Sequence, residues 1–84
     1  MHESGMIRRL LEVALAEAAR RGADLAGIDV RLGVLAGGSP EHLREHFEIE
    51  RERLGLPALD LRIVAEPDYP GGVEITGVDL RERG

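Results

Sequence analysis

Cysteine, lysine, asparagine, glutamine and tryptophan are all absent from this 84-residue chain, and the aromatics are reduced to one phenylalanine and one tyrosine. Without cysteine there is neither a disulfide framework nor a thiolate metal site, so zinc ribbons are excluded. Without lysine there is no P-loop, and Gly33, Gly37 and Gly38 lack the spacing of a dinucleotide fingerprint. Arginine supplies all 11 basic residues against 16 acidic ones, and the net charge of −5 argues against a phosphate-backbone footprint, so no nucleic-acid partner is expected. No run of about 18 apolar residues exists, and His2 and Glu3 stand where a secretory signal needs a basic start and an apolar stretch. The expectation is a soluble, cytoplasmic protein with no membrane partner.

What is present reads as one small α+β domain over 1–84. Ile7, Leu10, Leu11, Ala14, Leu15 and Ala18 recur at steps of three and four, which predicts an amphipathic helix over 6–21. Ser4 is its candidate N-cap and Gly22 its stop, with Arg20 and Arg21 near the negative end of the dipole. From Leu25 the pattern alternates, with Ile28, Val30 and Leu32 against Asp29 and Arg31, as in a strand with one buried face. Ser39 and Pro40 open a second helix that runs to about Leu54 and carries a thin apolar stripe of Leu43, Phe47 and Leu54, interrupted by Glu50. Two more alternating segments follow, Leu59–Ile63 and Val73–Leu80, with Gly77 where a bulge fits. The turn-rich link at 67–72 predicts that they form a hairpin. The order α-β-α-β-β leads to two helices packed on one face of a three-stranded sheet, with the other face polar. A sheet edge on so small a domain is also a candidate surface for a second copy.

Catalytic groups are scarce. Ser4 and Ser39 read as caps, Thr76 is the single threonine, no triad assembles, and an enzyme is not expected. The histidines are more informative. His2, next to the chain's amine, offers an imidazole beside the amine and deprotonated backbone amides, a planar nitrogen set suited to Ni(II) or Cu(II). The plain alternative is an exposed terminal side chain. His42 and His46, four apart, share a helix face and are spaced to grip a metal as a pair, although most such pairs are solvated surface. Tyr69 is either an anchor for its loop or an exposed contact residue.

The chain resembles the HypA nickel metallochaperones that serve hydrogenase and urease maturation. The resemblance starts with Met1-His2-Glu3 and continues through Leu10-Leu11-Glu12-Val13. It is densest from Ile28 to Glu48, where Val30, Leu32, Gly33, Leu35, Ala36, Gly37, Pro40, Glu41, Leu43, Arg44, Phe47 and Glu48 fall in family-like order. The segments Leu61–Pro67 and Val73–Leu80 are similar to the strands that flank the family's zinc domain, which a short turn at 67–72 replaces here. Ser4, Gly5, Glu45 and His46 depart from the family's usual residues. The resemblance implies a nickel site formed by the Met1 amine, the backbone nitrogen and ring of His2, and the backbone nitrogen of Glu3, with no zinc. It further implies a non-enzymatic accessory protein that delivers Ni(II) to a maturation GTPase or to a nickel-enzyme client such as [NiFe] hydrogenase. The competing expectation is an interaction module that has kept the fold and lost useful metal binding.

Overall fold

Gly22 and Ser39, the sequence's clearest punctuation, bound the helices as their chemistry requires. The computed structural model describes residues 3–36 and 39–83. Helix α1 spans Glu3–Arg20 and stops at Gly22, whose φ of +66° places it in the left-handed region that glycine enters without a Cβ clash. Helix α2 spans Pro40–Arg53; the Ser39 side chain accepts a hydrogen bond from the His42 backbone nitrogen, and Pro40 fills the first turn. It ends in a Schellman motif, with Gly55 (φ +69°) donating to Glu52 O and Leu56 donating to Arg51 O. Ser4, the expected N-cap, lies inside α1, one residue past its start.

Strands β1 (Ala23–Leu32), β2 (Asp60–Ala65) and β3 (Val73–Glu82) form one mixed sheet in the order β2-β1-β3. β2 runs parallel to β1 and β3 antiparallel to it. The expected hairpin of the last two strands is therefore corrected, because they occupy opposite edges of the sheet. The reason is topological: α2 is the crossover that a parallel β1–β2 pair needs, and the remaining edge of β1 is left for β3. The connection at 66–72 passes the end of β1, where Gly33 N donates to Gly72 O (2.7 Å), Val34 N to Tyr69 O (3.1 Å) and Leu35 N to Gly71 O (3.0 Å). Tyr69 is half-buried and anchors this loop, with the Arg31 guanidinium carbon 3.7 Å from its ring centroid.

Two irregularities keep the apolar residues on one side. In β1 the buried apolar side chains step from Leu25 to Ile28, three residues instead of two, and the pairing with β3 shifts between Leu25 and Gly27. In β3 the same step from Ile75 to Val78 coincides with a shift beside Gly77, where a bulge was expected. Each bulge resets the phase of a period-two pattern, so residues on both sides of it reach the core. That core joins Ile7, Leu11, Ala14 and Ala18 of α1, Leu43 and Phe47 of α2, and Leu25, Ile28, Val30, Leu32 and Leu61 of the sheet. Both helices pack on this face.

The outer face carries ion pairs. Arg62 reaches Asp29 (2.5 Å), Asp60 (2.5 Å) and Asp79 (2.7 Å), linking all three strands. Hydrogen bonds from Arg62 hold the Asp29 carboxyl below its ordinary range, and those same bonds, with Asp79 next, raise the pKa of Arg62. Arg31 pairs with Glu74, and Arg83 with Asp24 (2.8 Å).

Glu50, which interrupts the apolar stripe of α2, is 1 % exposed and bridges Arg8 of α1 (3.3 Å) and Arg53 (2.8 Å). Its two partners are about half exposed, so the buried charge is the carboxylate alone. Two opposite outcomes follow. Glu50→Met removes the desolvated charge and leaves the arginines in water, so urea midpoints stay level or rise. Arg8→Ala with Arg53→Ala strands the carboxylate and lowers stability by about 3 kcal/mol. A Glu50→Met protein less stable than the double arginine variant would reverse this account of the helix interface.

Candidate metal centre

The topology brings the starts of both helices to one end of the molecule. α1 turns into β1 through two residues, so it runs back along β1; α2 leaves the end of β1 and returns to the start of the parallel β2. Both helices therefore begin where β1 and β2 finish, and the Arg8–Glu50 contact fixes their relative level. With a rise of about 1.5 Å per residue, Glu3 lies about 7.5 Å before Arg8 and His46 about 6 Å before Glu50. The opening of α1 and the first two turns of α2 thus lie toward the same end of the molecule.

His42, His46 and Glu50 follow one another on α2 at successive steps of four, and Glu50 meets Arg8 of α1. His42 is exposed and His46 half-buried. Their Nε2 atoms are 3.1 Å apart, with ring centroids at 4.5 Å and planes crossed at 79°. On the same turn, the Ser39 hydroxyl oxygen is engaged as the helix cap, as its position in the sequence implied.

Of the expected nickel ligands, Met1 and His2 lie outside the described residues, and Glu3 is the first residue of α1. As a first helical residue, Glu3 has a backbone nitrogen with no acceptor within its own helix. Among the described residues, no group of three or more histidine, cysteine, aspartate or glutamate side chains is placed to hold a metal ion. No helix among them is long and apolar enough to cross a membrane. The chain matches no protein-family model and no curated protein sequence.

Beside this end an open cleft of about 370 Å³ is lined by Leu32, Gly33, Val34, Pro40, Ala65 and Glu66, among others. Val34, Leu35 and Val64 are exposed close by in the chain, at 58, 75 and 57 %. Sequence patterning did not mark this surface, because a loop valine and leucine carry no periodicity.

Proposed function

We propose that the chain is a nickel-binding accessory protein, similar to the HypA metallochaperones without their zinc domain. It binds Ni(II) at Met1-His2-Glu3 and passes it to a maturation GTPase or a nickel-enzyme client. The observation that carries this reading is the start of α1 at Glu3. A helix opening there leaves the Glu3 nitrogen uncommitted to the helix ladder, as a donor in a planar four-nitrogen set must be. Deprotonated amides also bring negative charge to the ion, which offsets the unfavourable positive end of the helix dipole. The exposed Val34 and Leu35, next to the cleft at the end of β1, give a receiving protein an apolar hold. That same surface is what the alternative reading, a docking module without useful metal affinity, would retain.

Titration of Ni(II) into untagged protein with a free Met1 amine tests the assignment. One equivalent should bind with a square-planar absorption band, and the band should vanish on N-terminal acetylation and in His2→Ala, with circular dichroism unchanged. Identical spectra for free and acetylated protein would remove the nickel reading and leave the docking module.

A further inference from the structure

We propose that His42 and His46 form a second metal site, a two-nitrogen clamp for Ni(II) or Cu(II) on the first turns of α2. This site stands whether or not the N-terminal donors bind. Its geometry is set by the backbone, since residues four apart on a helix are held at a fixed separation on one face. The buried neighbours Leu43 (5 % exposed) and Phe47 (3 %) pin those turns to the core, and the Ser39 cap closes the helix end beneath them.

The Nε2 separation of 3.1 Å already lies within the span of one ion. With metal–nitrogen bonds of about 2.0 to 2.1 Å, an ion touching both atoms subtends a nitrogen–metal–nitrogen angle of about 95 to 100°. That is near the right angle of adjacent ligands in square-planar or octahedral coordination, and short of the tetrahedral angle. The two nitrogens already share a hydrogen bond in which one ring donates and the other accepts. An ion takes the place of that proton, which moves to Nδ1 of the same ring, and uses the Nε2 lone pairs of both rings, with a turn of each ring to aim them at one point.

The positive end of α2 opposes a cation here, and Glu41 in the first turn and Glu45 beside His46 counter it.

The test uses N-acetylated full-length protein, in which the terminal amine no longer binds, titrated separately with Ni(II) and Cu(II). Calorimetry should show one ion per chain, and the ring proton resonances of His42 and His46 should broaden together. His42→Ala and His46→Ala should each weaken binding by roughly a hundredfold, because the second nitrogen of a chelate binds at high effective concentration. Both variants should keep the native circular dichroism spectrum. Acetylated protein that takes up no ion, or variants with unchanged affinity, would overturn the clamp. Failure of the N-terminal reading shows separately, as a stoichiometry of one ion per chain that is the same before and after acetylation.

Discussion

Ile28→Ala lowers the stability of the fold by about 3 to 4 kcal/mol, within the range for truncating a large aliphatic side chain in a closed core. Ile28 is 0 % exposed and sits in the middle of the central strand, with Leu61 opposite on β2 and Val78 opposite on β3. Helices cover it from above, and a strand bonded on both sides cannot shift inward to fill the space. The loss therefore includes a cavity term as well as the transfer of three carbons. For a domain of this size each kcal/mol displaces the melting temperature by roughly 4 to 8 °C, so a fall of about 12 to 32 °C is expected. A total stability of about 4 to 13 kcal/mol leaves such a variant close to unfolding. Val64→Ala, on the 57 % exposed end of β2, provides the contrast and should stay within about 0.5 kcal/mol of the parent. Equal urea midpoints for Ile28→Ala and the parent would mean that β1 is not the core of the sheet.

Gly33→Ala has an effect of similar size by a different route. A methyl group at Gly33 would overlap the Gly71 carbonyl oxygen and come within 2.5 Å of the Tyr69 ring and 2.7 Å of its carbonyl oxygen. Two of those atoms are backbone, so a side-chain rotation cannot relieve the overlap. The 69–72 loop has to lift, and the backbone hydrogen bonds from Gly33, Val34 and Leu35 go with it. At a net of about 1 kcal/mol for each bond, the expected loss is about 2 to 3 kcal/mol. Gly5→Ala gives the opposite sign. Gly5 is exposed on α1 with nothing within 4 Å of an added methyl, so alanine there should stabilise the protein by about 0.5 to 1 kcal/mol. Paired chemical denaturation curves read both signs at once. A Gly33→Ala protein as stable as the parent would show that the loop does not dock on the end of β1.

That docked loop also closes the fold at the end of β1. The link between β2 and β3 crosses the end of β1 and is bonded to it at three successive residues, Gly33, Val34 and Leu35. Tyr69 contributes a ring under the Arg31 guanidinium, so the loop is held by side chains as well as backbone. The expected turn is present, and it bridges two edges of the sheet instead of folding two neighbours together.

The sequence by itself determined the elements, because their signals are local. The apolar steps of three and four in α1, the Ser39-Pro40 start and Gly55 end of α2, and the bulge beside Gly77 each depend on a few adjacent residues. The i, i+4 spacing of His42 and His46 was equally legible, since helix geometry alone puts them on one face. Tertiary structure decided what lies next to what. Alternation tells which side of a strand is buried but not which strand is its neighbour. β1 took the centre because α2 returns the chain parallel to it and β3 then pairs with its remaining edge. Glu50 reads as a flaw in an apolar stripe until α1 brings Arg8 across it. The 3.1 Å between the two histidine nitrogens depends on ring rotamers, which a spacing in sequence does not specify.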